Sequence, residues 1–355
     1  MSGTVVVVIL LMLAGFFVYT KSKRKGETND EQYDPYHLNR YGLADLVEGD
    51  LRVGNKEEGG FETSNFRLVK DALTKRLAKV EGLNGLPLRY VTDAVKGLIM
   101  HRIKDSAVYN KEFDRLMLQT EVAMQHNDEH AEDGAATAEM LWTSARKVEG
   151  KSEICSIVNA AIREDDPSNI VHAVVFARAI ELRRDMRNNF VNNPKRYPNM
   201  KARADMFPQG HFPDSLKHHD WVVCWRGGGF NNCFQDFFAD GKYYRCPGII
   251  ATSLDTSIPR RFAQMCLANN QPATLWGILL DGRGANDSKY RCKHASFVSK
   301  THCPGEDEFL FSPYSVFQVL DTKWSPQPTE YHIVVLRAAL DNRNYPKDLP
   351  LTPWY

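Results

Sequence analysis

The spacing of apolar residues changes once along this chain, and that change limits the folds it can adopt. Between residues 61 and 187, apolar side chains recur every three to four positions, as in "FRLVKDALTKRLAKVEGL", which predicts helices. Residues 221–339 instead hold short runs rich in β-branched and aromatic residues, such as "IIATSL" and "YHIVVLRAA", separated by glycine and proline. One helical stretch, "IPRRFAQMCLAN", interrupts these runs. The sequence therefore predicts an α+β fold in which a helical subdomain precedes a strand-rich, antiparallel core.

The N-terminal residues differ from the rest of the chain. Residues 4–20, "TVVVVILLMLAGFFVYT", carry no charge. As a helix, these roughly 17 residues would be just long enough to cross a hydrocarbon core of about 30 Å. A cleaved signal peptide and a buried strand are the alternatives, but a signal peptide needs basic side chains before its apolar run. The favoured interpretation is a transmembrane anchor within residues 1–20.

Basic residues follow the apolar run at once, in "KSKRK", and basic flanks stay on the cytoplasmic side. The expected location is therefore a membrane, crossed once, with the main body in the cytosol. The sequon at Asn286 keeps the opposite topology open, because a glycan there requires a lumenal or extracellular position. Residues 21–60 are polar and charged, which is typical of a tether.

Charge and cysteine content argue against two classes of function. The net charge is +1, and no basic stretch with interleaved aromatics occurs, so we expect no nucleic-acid partner. The seven cysteines form no C-x-x-C pair, so the sequence does not predict a metal site.

A first candidate site is "WVVCWRGGGF", residues 221–230, where an arginine ends a predicted strand and three glycines follow. The planar guanidinium of Arg226 suits phosphate or carboxylate. Gly227, Gly228 and Gly229 would let the backbone approach a ligand closely. The alternative is a structural arginine that pairs with a buried carboxylate.

Two further signals follow. In "IIATSLDTSIPRRFA", Thr252 and Ser253 end a strand before a turn and a helix, where hydroxyls either orient a carboxylate or cap the turn. In "EDEFLFSPYSVFQV", Glu306 and Glu308 are two apart, so on a strand both would face the same side. A carboxylate pair suits cleavage of a glycosidic bond, in which the sugar gains positive charge. A solvated acidic turn is the alternative.

In this order, an Arg-Gly strand, a Ser-Thr-Ser-like turn and an E-x-E strand resemble the Arg/Ser/Glu class of mono-ADP-ribosyltransferases, which includes binary-toxin enzymes and vertebrate ecto-enzymes. The resemblance covers about residues 150–340. It implies a core of two antiparallel sheets and NAD as substrate. It also implies these domains: anchor 1–20, tether 21–60, helical region 61–150, and transferase domain 151–345, with a helical lead-in over 151–200 and a β core over about 215–340.

The resemblance also implies roles for the NAD-binding residues. Arg226 would hold the phosphate or nicotinamide-ribose side of NAD. Gly227, beside Gly228, would let the nicotinamide lie against the backbone. Phe262 and Arg261 occupy the positions of nucleotide contacts.

The catalytic roles are implied in the same way. Thr252 and Ser253 would hold Glu308, which would stabilise the oxocarbenium-like ribose. Glu306 would position or deprotonate the acceptor, and a glutamate there implies arginine as the acceptor. The chain departs from the class at Ala251, where the class has serine.

The sequence thus predicts a membrane-anchored enzyme that transfers ADP-ribose from NAD to a protein arginine. NAD hydrolysis at the same site is an alternative. Others are an inactive NAD-binding or scaffold protein, which Ala251 favours, and a structural membrane protein that shares only the fold.

Overall fold

The computed structural model describes residues 51, 60–78, 86–103, 105–126, 134–182, 222–280, 292, 294–298 and 305–353. Contacts divide the chain into two compact units. The described residues up to 182 belong to the first unit, and those from 222 onward belong to the second. The domain limits implied by the resemblance stay a prediction.

The first unit is helical, as the spacing of its apolar residues predicts. Its helices among the described residues are α1 Asn65–Ala78, α2 Leu88–Arg102, α3 Ser106–His126, α4 Gly134–Thr143, α5 Ile154–Glu164 and α6 Pro167–Leu182. A 3₁₀ helix, Phe61–Thr63, precedes α1, and two short antiparallel strands, β1 Lys147–Val148 and β2 Ser152–Glu153, precede α5.

One aspartate joins distant parts of this helical unit. Asp165 ends α5 in the left-handed conformation, with φ 51°. Its carboxylate accepts the backbone N–H groups of Asn65 and Phe66, each at 2.8 Å. These are among the donors that the first turn of a helix leaves without an intrahelical partner. The residue that ends α5 therefore also caps α1.

The second unit contains an eight-stranded sheet. Its strands are β3 Val222–Gly229, β4 Tyr243–Cys246, β5 Ile250–Ser253, β6 Ala273–Leu280, β7 Ala295–Phe297, β8 Glu308–Phe311, β9 Ser315–Lys323 and β10 His332–Ala338, and the helix α7 Ser257–Ala268 follows β5. Across the sheet the order is β4-β9-β10-β6-β3-β5-β8-β7. Alternate residues of β3 pack into different apolar clusters, Cys224 into one and Val223 and Trp225 into the other. The inner strands are buried on both faces, which explains their nearly continuous apolar sequence.

The expectation of two antiparallel sheets is wrong. β10 runs parallel to β6, with His332 opposite Thr274 and Arg337 opposite Leu279, so the sheet is mixed. Three strands lie between β6 and β10 in the sequence, so the chain does not have to return as a hairpin. The resemblance implied two separate sheets, but the pairing between β3 and β5 joins all eight strands into one sheet.

That connection, between β3 and β5, is narrow. Among the described residues, Trp225 opposite Ser253 is the only pair in register there. By contrast, β3 pairs with β6 along its whole length, from Val222 to Gly229. The strands therefore part on either side of one residue pair, which leaves edges of β3 and β5 open to a ligand.

No helix within the described ranges is long and apolar enough to cross a membrane. The predicted anchor over residues 4–20 lies outside those ranges, as do the sequon at Asn286 and nearly all of the predicted tether.

Candidate functional site

Arg226 lies near the end of β3, beside the narrow junction. It is half-buried and stands opposite Trp276 of β6. Its Nη1 donates a hydrogen bond to the carbonyl of Ala251, at 3.0 Å. Within the described part of the chain, this is its only hydrogen bond. The other guanidinium N–H groups can therefore bind an anionic or carbonyl group of a ligand.

Position 227 requires a glycine because the backbone of α7 approaches β3 closely there. A Cβ at this position would lie 1.8 Å from the carbonyl oxygen of Pro259, in the first turn of α7. Gly227 therefore lets α7 pack directly on β3. Gly228 is half-exposed and stands opposite Thr274. The cofactor-binding role of both glycines stays a prediction.

The two hydroxyls at the end of β5 hold β8 and the turn before it. Buried Thr252 donates from Oγ1 to the carbonyl of Phe309, at 2.8 Å. The Ser253 hydroxyl donates to the carbonyl of Glu306, at 2.5 Å, and accepts the backbone N–H of Asp255, at 3.0 Å. Ser253 thus links the turn that precedes Glu308 to the turn that precedes α7.

The register brings Glu308 to the same junction. Glu308, half-buried at the start of β8, stands directly opposite Ser253, and Ser253 stands opposite Trp225. Strands lie about 4.8 Å apart, so the backbones at Glu308 and Trp225 are separated by about 10 Å. Arg226 follows Trp225 directly, so its backbone lies beside the same junction, while its side chain points to the opposite face of β3 from Trp225.

Glu306 differs from what the spacing predicts. β8 begins at Glu308, and Asp307 has a left-handed backbone with φ 44°, so the alternation of a strand does not extend back to Glu306. Glu306 lies in the preceding turn, held through its carbonyl by Ser253. Burial raises the pKa of its carboxyl group, and the positive charge of Arg261 partly opposes that rise.

Arg261 and Phe262 lie on α7, which follows the Ser253 turn. Arg261 is exposed and Phe262 is half-buried. Among the sequence-predicted residues, the structure gathers Arg226, Thr252, Ser253, Glu306 and Glu308 around the β3–β5–β8 junction. The nucleotide contact predicted for Phe262 stays a prediction.

Beside Arg226 is a small pocket that opens to solvent. Its wall is mainly apolar and aromatic, and the described residues that line it are Arg226, Phe238, Tyr244, Cys246, Ile250, Trp276, Ile278, Leu336, Thr352 and Pro353. Sequence reasoning missed both β4 and the C-terminal residues. The one signal was Arg245, a charge inside the aromatic run "YYRC".

Within the described ranges, no group of three or more His, Cys, Asp or Glu side chains is placed to hold a metal ion. The described residues at the junction supply a guanidinium, two hydroxyls and two carboxylates.

No protein-family model matches the sequence, and no curated relative matches it. Solved structures do match at low identity. Vis, an ADP-ribosyltransferase from Vibrio splendidus, in complex with agmatine, is 12% identical with a TM-score of 0.30, over 51% of this chain and 66% of that one. Exoenzyme S from Pseudomonas aeruginosa, in complex with human 14-3-3 protein beta and carba-NAD, is 14% identical with a TM-score of 0.36, over 71% and 88%.

The type III effector XopAI from Xanthomonas axonopodis pv. citri is 11% identical with a TM-score of 0.41, over 76% of this chain and 91% of its own. The matching structures include enzymes of the class that the sequence motifs resemble. At these TM-scores the likeness does not assign chemistry to this chain.

Proposed function

We propose that this chain transfers ADP-ribose from NAD to an arginine side chain of an acceptor protein, with release of nicotinamide. The observation that carries the proposal is the register across three strands. Glu308 stands opposite Ser253, Ser253 stands opposite Trp225, and Arg226 comes next on β3. The backbones of residues far apart in the sequence thus lie at one junction, where a ligand that spans both faces of the opened sheet would contact Arg226 and Glu308.

Arg226 supports binding of an anionic dinucleotide. The N–H groups that have no partner among the described residues can form charge-assisted hydrogen bonds to a phosphate, which are stronger than neutral ones. The neighbouring pocket, lined by Trp276 and Tyr244, offers apolar and aromatic surface to a planar ring. NAD combines a pyrophosphate with such a ring.

Glu308 is the group proposed to assist the bond cleavage. The bond between the ribose C1′ and the nicotinamide nitrogen breaks, and its electron pair leaves with the nicotinamide. The ribose gains oxocarbenium character, which an ionised carboxylate stabilises most effectively in a partly desolvated position. Glu308 is half-buried at the start of a strand whose pairing with β5 fixes its backbone.

Glu306 is proposed to receive the acceptor's proton. A guanidine nitrogen attacks C1′, forms the new C–N bond and loses one proton, which the Glu306 carboxylate accepts. The raised pKa of Glu306 makes its carboxylate a stronger base than an ordinary one. Because Glu306 lies ahead of β8 in a turn, its position depends on the bond from Ser253.

The test uses the full chain in detergent with labelled NAD, and either polyarginine or polylysine as acceptor. We expect label on polyarginine and none on polylysine. Glu308→Gln should lower both nicotinamide release and labelling by about 10²–10³-fold, the range found when a transition-state contact is lost. Glu306→Gln should reduce labelling more than nicotinamide release, since water can still replace the acceptor.

Glu330→Gln is the matched control. Glu330 is exposed and its carboxylate accepts a hydrogen bond from Ser325, so this variant should retain full activity. Nicotinamide release without label on either polymer would favour NAD hydrolysis. NAD binding without release would favour an inactive binding protein, a role consistent with Ala251. Labelling that survives Glu308→Gln contradicts the proposed mechanism.

We further propose that residues 4–20 anchor the chain in a membrane with the remaining residues in the cytosol. The support is the uncharged run and the basic residues directly after it. Carbonate extraction of membranes should leave the chain in the pellet. A mass loss at Asn286 on glycosidase treatment would contradict the cytosolic orientation.

A further inference from the structure

The C-terminal residues extend the sheet at its β4 edge. The backbone N–H of Arg245 donates to the carbonyl of Pro350, at 2.9 Å, and the N–H of Thr352 donates to the carbonyl of Arg245, at 2.8 Å. Leu351 forms a parallel bridge with Arg245. Residues 350–352 therefore form a short added strand beside β4.

The side chain of Arg245 anchors the chain that leads to this added strand. It is 1% exposed, and its guanidinium donates to four backbone carbonyls. One belongs to Tyr314, and three belong to Asn342, Tyr345 and Pro346, at 3.0–3.3 Å. A buried arginine that satisfies several carbonyls fixes the path of that backbone, since losing it would leave those acceptors without their donor.

The added strand delivers two side chains to the pocket beside Arg226. Thr352 and Pro353 line it across from Trp276, and Cys246 of β4 lies in the same wall. The Oγ1 of Thr352 also donates to the carbonyl of Arg245, at 3.3 Å, which limits its rotation. The same pocket thus receives Arg226 from β3 and two residues from the C-terminal segment.

We propose that Thr352 and Pro353 form a specificity-determining wall of the Arg226 pocket, held in place by Arg245 as a positioning residue. The wall limits the size of the planar group that can enter beside Arg226. The inference rests on the proposed function only for the identity of that group, an aromatic amide such as the nicotinamide end of NAD.

The position of the wall is tested first, without NAD. The reduced full chain is treated with iodoacetamide, and labelled cysteines are located by mass spectrometry. Cys233 is exposed and should react at once, whereas Cys246 and Cys224, which are 1% and 0% exposed, should be protected. In the double variant Thr352→Gly/Pro353→Gly, Cys246 should react at least about tenfold faster while Cys224 stays protected, because the opening is local.

The milder variant Thr352→Ala guards against general unfolding. It should accelerate Cys246 less than the double variant does, again without exposing Cys224. An unchanged labelling rate at Cys246 in both variants would overturn the proposal that Thr352 and Pro353 cover the pocket. So would equal acceleration at Cys224 and Cys246 in both variants, since that result means general loosening of the sheet.

The size limit is tested with benzamide and 2-naphthamide, planar amides of one and two rings, by their binding to the full chain. The native chain should prefer benzamide, and the double variant should lose this preference by about tenfold, a typical discrimination by pocket size. An unchanged preference, with Cys246 exposed, would overturn the specificity role.

The two proposals fail separately. If the native chain does not bind NAD, but Cys246 and the amide preference respond as expected, the proposed function is wrong and the wall stands. If NAD is cleaved normally and neither Cys246 labelling nor the amide preference changes in the variants, the wall is wrong and the function stands.

Discussion

Arg245 and Arg226 lie on strands of the same sheet, yet their surroundings differ. Arg245 is buried and donates to four backbone carbonyls. Arg226 is half-buried and, among the described residues, donates to one, the carbonyl of Ala251. A guanidinium has five N–H donors. In Arg245 most of this capacity is used inside the protein, whereas in Arg226 most of it remains for a ligand.

The difference shows how to separate a structural arginine from a binding one. Both occur in apolar or aromatic strand sequence, "YYRC" and "WVVCWR". What differs is the chain opposite the guanidinium. The C-terminal segment wraps around Arg245, while at Arg226 the strands β3 and β5 part after a single residue pair. The following predictions probe this contrast.

The largest effect is expected at Arg245. Arg245→Met should lower the free energy of unfolding by about 3–5 kcal/mol, because several buried carbonyls lose a charged donor together. Urea denaturation measures this change. Arg343→Met, in the same C-terminal segment, removes an exposed guanidinium from an ion pair with the mostly buried Asp341 and should lower the midpoint much less. Equal urea midpoints for the two variants would mean that buried Arg245 contributes no more to stability than exposed Arg343 does.

Arg226→Met should have the opposite profile. Binding of NAD should weaken by about 10–100-fold, since hydrogen bonds to a charged group contribute about 1.5–3 kcal/mol. The free energy of unfolding should change by less than about 1 kcal/mol, because the bond to Ala251 is the only one lost among the described residues. Calorimetric titration and urea denaturation give the two values. A large loss of stability with unchanged NAD affinity would make Arg226 structural.

A smaller gain is expected at Ala251, whose carbonyl receives the Arg226 bond. The resemblance places a serine hydroxyl here. Ala251→Ser should raise the rate of ADP-ribose transfer by up to about fivefold, the equivalent of one added hydrogen bond of about 1 kcal/mol. Ala251→Val adds bulk without a donor and should give no gain. Equal rates for the serine and alanine forms would mean that the hydroxyl has no role in this chain.

The smallest effect is expected at Arg261, a third and exposed arginine. Burial raises the pKa of Glu306, and the positive charge of Arg261 holds that rise back. Arg261→Gln should therefore raise the Glu306 pKa further. The acid limb of the rate–pH profile should move to higher pH, because the carboxylate that accepts a proton becomes protonated earlier as pH falls. Arg260→Gln, one residue away, is the control. A shift to lower pH would contradict the electrostatic assignment.

Element types followed closely from local pattern. Helical spacing predicted α1 within "FRLVKDALTKRLAKVEGL", and short apolar runs predicted β3, β5, β6 and β10. The stretch "EDEFLFSPYSVFQV" divides between β8 and β9 where Tyr314 adopts φ 60°. The strand β4, "YYRC", was missed because a run of four residues is too short to show a periodicity. Local sequence encodes which face of an element is apolar, so long elements are visible and short ones are not.

The sequence also placed the polar residues of the site. Thr252, Ser253 and Glu308 each lie at a strand end, whereas Arg226, predicted to end its strand, lies within β3, which continues through the glycines to Gly229. Spacing alone misjudged Glu306, since the left-handed Asp307 interrupts the alternation that the prediction assumed. The sequence suggested that Gly227 is a glycine because a ligand approaches it. In the structure, the backbone of Pro259 packs against it and leaves no room for a side chain.

The sequence by itself determined the order of helices and strands, the α+β class and the side chains available for chemistry. Only the tertiary structure decided that β10 runs parallel to β6, that Ser253 stands between Trp225 and Glu308, and that Thr352 reaches the pocket of Arg226. The physical reason is separation along the chain. Apolar periodicity is a property of neighbouring residues, but strand pairing joins segments tens of residues apart, and their register depends on how the whole core packs.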